Sequence, residues 1–180
     1  MDKSTQRKII SERFSKPFDR AEASHAVFRL AVSETEFSAA RNIYIFLSND
    51  REPDTDPIIE AAVRSGKKVF CPKVHGTEMD FHPYVAGKIS VGAFGIREPD
   101  STEVAPPPDL IFVPMVAFDE NLNRLGHGKG YYDRFLKECN VPKIGLAFDF
   151  QKLDKVVSDI HDVRLDKIIT ETKIYRLREV

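Results

Sequence analysis

Tryptophan is absent from this chain of 180 residues, and cysteine, methionine and glycine are scarce at two, three and nine. Cys71 and Cys139 stand far apart, with no ligand-like spacing around either. That excludes a zinc-finger pattern and a disulfide framework. No apolar run approaches the roughly 20 residues that cross a bilayer, so no membrane partner is expected. There is no surplus of either charge: 27 Lys and Arg face 28 Asp and Glu, for a net charge of -1. A general nucleic-acid or membrane-surface binder needs a basic excess, so neither is an expected partner. Residues 1–11 are charged and polar, without an apolar core before a small-residue cleavage site. They do not read as a secretory leader, and the cytoplasm is the expected compartment. Repeats and low-complexity segments are missing too.

The composition that remains is that of an ordinary globular protein, 42% hydrophobic and 31% charged. The length suits one domain over residues 1–180, with one sizeable core, and a monomer is the expected state. The apolar pattern predicts a helix over 3–14, with Ile9, Ile10 and Phe14 on one stripe. A second helix is expected to start near Pro17 and run through Ala31, with a short piece at 35–40. Residues 42–48 (NIYIFLS) form a β-branched and aromatic run that suits a buried strand. A helix over 57–65 follows, ended by Gly66. Further strands are expected at 68–71, stopped by Pro72, and at 79–84, on an edge because of Pro83. Residues 87–108, rich in Gly and Pro, read as a surface excursion with little regular structure. Strands at 110–113 and 143–147, helices at 131–138 and near 151–156, and two strand-like pieces at 167–170 and 173–177 complete the reading.

Strand and helix in alternation build a mostly parallel sheet covered on both faces, an α/β fold. Ligands of such sheets sit beyond the carboxyl ends of strands. The chemistry is therefore expected after Ser48, after Val113 and after Ala147.

One segment stands out: residues 123–136 read NRLGHGKGYYDRFL. Gly126, Gly128 and Gly130 alternate just before a helix, a pattern that lets backbone N–H groups surround an anion. The helix start favours phosphate, and Arg124 and Lys129 bring mobile positive charge. Asp133, in the first turn, can hold Mg²⁺ beside phosphates. It is not a P-loop, because Gly130 follows Gly128-Lys129 where Ser or Thr is required. It is not a Rossmann fingerprint, because Tyr131 stands where a small residue is needed. Asp119, Asn121 and Asn123 imitate the start of a calcium loop, but Arg124 replaces its glycine and Gly130 its bidentate Glu. From residue types alone, a capped glycine turn with solvated charges remains open.

The segment from Arg124 to Asp133, Arg-Leu-Gly-His-Gly-Lys-Gly-Tyr-Tyr-Asp, resembles the signature of the 5-formyltetrahydrofolate cyclo-ligase family. Lys3 and Arg7, the run Ile45 to Ser48 with Glu52, and Asp162 before Leu165-Asp166 agree with that family in order and spacing. So do the Phe94-Gly95-Ile96 and Glu98-Pro99 steps. The resemblance implies a three-layer α/β/α sandwich like that of CoA-transferases and ribose-phosphate isomerase. It implies ATP as co-substrate and Mg²⁺ as cofactor, with 5-formyltetrahydrofolate as the second small-molecule substrate. Lys3, Arg7 and the stretch Arg124, Leu125, Gly126, His127, Gly128, Lys129, Gly130, Tyr131 and Tyr132 are then expected to contact ATP. Leu47, Glu52, His127, Gly128, Lys129, Gly130 and Tyr131 are expected to line the folate pocket. Asp133 and Asp162 are expected to hold Mg²⁺, and Arg124 and Lys129 to act in catalysis. His127 stands where other members often carry Arg, Tyr or Phe. Two other readings stay open: a phosphate-binding relative on the same fold that does not use ATP, and a non-catalytic nucleotide- or folate-binding module.

Overall fold

A computed structural model describes residues 1–178. The chain opens with helices α1 (Lys3–Phe14), α2 (Arg20–Ser33) and α3 (Thr35–Ala39), then strand β1 (Asn42–Ile45), helix α4 (Asp56–Arg64), β2 (Lys68–His75) and β3 (Glu78–Pro83). The short strands β4 (Ile89–Val91) and β5 (Arg97–Pro99) precede β6 (Leu110–Val113), β7 (Ala117–Phe118) and β8 (Arg124–Leu125). Helix α5 (Tyr131–Leu136), β9 (Lys143–Leu146), β10 (Lys167–Ile169) and β11 (Ile174–Arg176) complete it. Seven strands form one sheet in the order β11-β10-β9-β6-β1-β2-β3. The inner pairings are parallel, and β3 and β11 close the two edges antiparallel.

The expected apolar runs become strands buried on both faces. Ile43 and Ile45 of β1, Leu110 and Phe112 of β6, and Ile144 and Leu146 of β9 point into one core, against Val27 and Ala31 of α2 and Ile58, Ile59 and Ala62 of α4. The alternate residues Tyr44, Ile111 and Val113 point into a second core with Phe81, Met115, Phe118, Leu136 and Leu165. Period-two alternation thus feeds two layers, one on each side of the sheet. Gly145 falls on the second face, where a Cβ would lie 2.2 Å from Met115 and 2.6 Å from Leu165. No helix among the described residues is long and apolar enough to cross a membrane.

Several boundaries differ from expectation for identifiable reasons. Strand β2 does not stop at Pro72 but runs to His75. The amide of Tyr84 donates to the Val69 carbonyl, so the bonded pairs of this ribbon fall at every second residue. Pro72 and Pro83 both occupy the alternate positions, where no N–H is required. Pairing with β1 has already ended at Phe70. Helix α2 starts at Arg20, not near Pro17, because the Asp19 carboxylate accepts from the Glu22 amide and caps it. The expected helix near 151–156 is a single 3₁₀ turn, Asp149–Gln151. Its amides are engaged elsewhere: Leu153 donates to the Phe118 carbonyl and Val156 to Asp119. Residues 87–108 are not structureless. They contain the β4–β5 hairpin, whose turn uses Phe94 and Gly95 at φ 59° and 69°. The hairpin β7–β8 was not expected at all.

Candidate active site

A cavity of about 1200 Å³ opens beyond the carboxyl ends of β1 and β6. Strand order reverses there, since the chain leaves β1 toward β2 on one side and returns through β6 on the other. Phe46, Leu47 and Ser48 after β1 and Pro114 after β6 form its floor, as two of the three strand ends predicted. The third does not contribute. Past Ala147, Phe148 and Phe150 pack instead with Phe14 and Phe18 under α1, and the Phe14–Phe150 centroids are 4.7 Å apart.

One wall is the glycine loop. The Asp119 carboxylate accepts from the amides of Asn121 and Asn123 and locks the β7–β8 turn. The residues that imitate a calcium loop are therefore consumed internally, and Asp119 is buried. Out of that turn, β8 delivers Arg124. Its guanidinium is not mobile, as expected from sequence, but buried, with Nε donating 3.1 Å to the Pro114 carbonyl. Nη2 lies where a Cβ on Gly126 would come within 2.9 Å, so a side chain at 126 would displace this guanidinium. Nη1 stands 3.7 Å from Asp133 and has no hydrogen-bond partner among the described residues. Burial pulls the Arg124 pKa down, and the Asp133 carboxylate opposes that pull. A shielded cation with an unused N–H facing a cavity fits an anionic ligand. Gly128 and Gly130 adopt φ of 104° and 72°, conformations that other residues rarely take.

Lys3 and Arg7 reach this wall from one face of α1, as their spacing predicts. Arg7 Nε donates 2.8 Å to the Gly126 carbonyl and so holds the loop. Lys3 Nζ binds both oxygens of Asp162, at 2.7 and 3.0 Å, and Asp159 at 2.9 Å. Asp133 accepts from the amide of Val163, the residue after Asp162. Both expected metal ligands thus lie at one end of the cavity, with hard oxygen donors of the kind Mg²⁺ takes. Lys129 extends across the opening, its ammonium 4.5 Å from the Phe94 ring centroid. His127 is exposed at the loop tip. The loop around its ring, and then the charges of Arg124 and Arg7, push its pKa down.

The opposite end is apolar with one buried acid. Leu47 and Glu52 are 5% and 6% exposed. Thr55 fixes their loop by accepting from the Ser48 amide and donating to the Phe46 carbonyl. The Asn49 amide donates to Glu52 at 2.9 Å. Burial nonetheless raises the Glu52 pKa to about 7. Tyr131 donates to the Gly76 carbonyl and Arg134 to that of Thr77, tying α5 to the β2–β3 turn. The Tyr132 hydroxyl is shielded and unpartnered, and burial, then Glu52, push its pKa up. Every residue expected to bind ATP, folate or Mg²⁺ lines this one cavity.

Sequence reasoning missed a second wall, the β4–β5 hairpin, which contributes Phe94, Ile96 and Arg97. Arg97 straps it down by donating to the Ser48 carbonyl at 3.0 Å and pairing with Asp56. The Phe94-Gly95-Ile96 step was visible in the resemblance but carried no role. Asp159 and His161 also line the cavity.

The family model of the 5-formyltetrahydrofolate cyclo-ligase family matches residues 3–171. The chain belongs to that family. The 5-formyltetrahydrofolate cyclo-ligase of Escherichia coli K12 is 34% identical over 149 residues, covering 76% of this chain and 81% of that one. A probable 5-formyltetrahydrofolate cyclo-ligase of Schizosaccharomyces pombe is 31% identical over 179 residues, covering 85% and 86%. Among solved structures, the 5,10-methenyltetrahydrofolate synthetase of Aquifex aeolicus superposes with a TM-score of 0.88 at 34% identity, over 100% of this chain and 95% of that one. This cyclo-ligase family member is an enzyme of folate metabolism, and its mixed, mostly parallel sheet is the family's fold.

Proposed function

We propose that this enzyme converts 5-formyltetrahydrofolate to 5,10-methenyltetrahydrofolate, consuming ATP and releasing ADP and phosphate. The observation that carries the reading is a single cavity with two unlike ends: a glycine loop ringed by Lys3, Arg7, Arg124 and Lys129, and an apolar recess around Leu47 with the buried acid Glu52.

A formyl oxygen is a poor leaving group. Transfer of the γ-phosphoryl group to it breaks the bond to ADP and turns that oxygen into part of a phosphate ester. The N10 lone pair then attacks the formyl carbon. The carbon–oxygen bond breaks, phosphate leaves with the oxygen, and N10 loses its proton as the ring closes. The protein's work is positioning and charge stabilisation. The free Nη1 of Arg124 and the mobile Lys129 ammonium meet charge on the phosphoryl group in transfer. The amides of the glycine loop take the remaining oxygens. Leu47 and Tyr131 supply a surface for the pterin, and Glu52 accepts from pterin N–H groups.

Asp133 and Asp162 would hold Mg²⁺, which supplies charge neutralisation to phosphate oxygens when bound. Lys3 already neutralises Asp162. Phosphate gives that ammonium an alternative partner, so Lys3 can pass from carboxylate to nucleotide as the site fills.

The test is absorbance in the methenyl-folate band on mixing the enzyme with 5-formyltetrahydrofolate, ATP and Mg²⁺. Growth that requires all three supports the reading. A folded protein that binds ATP yet shows no growth would refute it.

A further inference from the structure

The β2–β3 ribbon has two faces. Pro72, Val74 and Met79 look into the cavity. His75, Asp80 and His82 share the other face, because His75 opposes Glu78, and Asp80 and His82 are two residues apart on β3. Their ligand atoms all lie within 4.8 Å of one another. Asp80 Oδ1 is 2.9 Å from His75 Nε2 and 2.8 Å from His82 Nε2. The Nδ1 of His82 is 2.8 Å from the Glu103 carbonyl.

At His82 both ring nitrogens face acceptors, so one more positive charge completes the cluster. A carbonyl can only accept, so Nδ1 carries the proton. Nε2 then presents a lone pair to a carboxylate, which also only accepts. Either the ring takes a second proton or a metal ion sits between Nε2 and Asp80. The backing of His82 by a carbonyl is how metal-binding imidazoles are usually oriented. His82 is buried and fixed, whereas His75 and Asp80 are half exposed and free to adjust to bonds of roughly 2.0–2.2 Å.

We propose that His75, Asp80 and His82 form a binding site for one Zn²⁺-class ion, open to water in its fourth position, on the face of the ribbon turned away from the catalytic cavity. Two imidazoles and a carboxylate favour Zn²⁺, Co²⁺ or Ni²⁺ over Mg²⁺, so this site and the phosphate end of the cavity select different metals. The ion bridges both strands just below the turn whose Gly76 and Thr77 carbonyls are held by Tyr131 and Arg134. It therefore straps the turn that anchors α5.

The experiment titrates the chelator-stripped enzyme with Co²⁺, read by visible absorption, and with Zn²⁺, read by calorimetry, each with Mg²⁺ in excess. One equivalent should bind with a tetrahedral-type Co²⁺ spectrum. The exposed-ring variant His75→Ala, which should keep its fold, should weaken binding at least ~10-fold, as should His82→Asn. Asp133→Asn and Cys139→Ser should leave it unchanged. Hydrogen exchange at Gly76 and Thr77 should slow when Zn²⁺ is bound. Absence of stoichiometric binding, or binding lost in Cys139→Ser and retained in His75→Ala, would overturn the site. Unchanged exchange at the turn would overturn the strap.

Discussion

The glycine loop and the β4–β5 hairpin face each other across the cavity, joined by Lys129 over Phe94. They are built on opposite principles. In the loop the chemistry is local: three glycines, two of them at positive φ, expose backbone to a ligand, and the neighbouring cations come within ten residues or from one face of α1. In the hairpin the same residue type does something else. Gly95, with Phe94 at positive φ, only turns the chain so that Phe94 and Ile96 overhang the site. Glycine content alone does not distinguish a ligand cradle from a hinge. The charged groups around it do.

The largest expected effect separates the two regions sharply. Lys129→Ala should cut turnover by ~10²–10³-fold, the cost of losing one charged transition-state contact, with thermal stability unchanged because the side chain is exposed. Arg124→Ala should cut turnover at least as far and also lower Tm, since that guanidinium is buried and holds Pro114. Equal Tm for the two variants would break the distinction between a mobile and a fixed cation.

Between the two regions lies Glu52, whose pKa is raised from 4.5 to about 7 by burial. Its contribution to stability is fully present below about 4.5 and is lost as pH rises through about 7. Glu52→Gln carries no such titration. Denaturant melts from pH 4.5 to 8.5 should show the variant gaining on the native enzyme by on the order of 3 kcal/mol. A constant difference across that range would contradict the burial argument.

Effects in the hairpin should be smaller and of another kind. Phe94→Ala should raise the Michaelis constant for folate by roughly tenfold, or about 1.4 kcal/mol, with kcat nearly unchanged, because uniform binding is what it loses. Gly95→Ala meets no atom within 4 Å, so only the left-handed backbone is penalised, by about 1–2 kcal/mol. Its Tm and Michaelis constant should shift modestly. A Phe94 variant that lost kcat instead would assign the hairpin to the chemistry itself.

How much was legible in the sequence follows the same division. Strand β6 and the two faces of the sheet could be read because apolar periodicity is a local record of burial. The loop from Arg124 to Asp133 could be read because close backbone approach and phosphate chemistry restrict residue type. The hairpin was illegible because Gly and Pro mark turns without saying whether the flanks pair. Strand β2 was cut short at Pro72 because only the register with β3 shows that its missing N–H is harmless. The fixed state of Arg124 was hidden because its partner, the Pro114 carbonyl, comes from another strand end.

Whether one cavity holds nucleotide and folate at opposite ends is decided by a crystal structure with a non-hydrolysable ATP analogue, Mg²⁺ and 5-formyltetrahydrofolate. The triphosphate should lie against Gly126, Gly128 and Gly130, Mg²⁺ at Asp133 and Asp162 with Lys3 turned to phosphate, and the pterin against Leu47 and Glu52. A nucleotide bound away from the glycine loop, or a pterin outside the Glu52 recess, would contradict this arrangement.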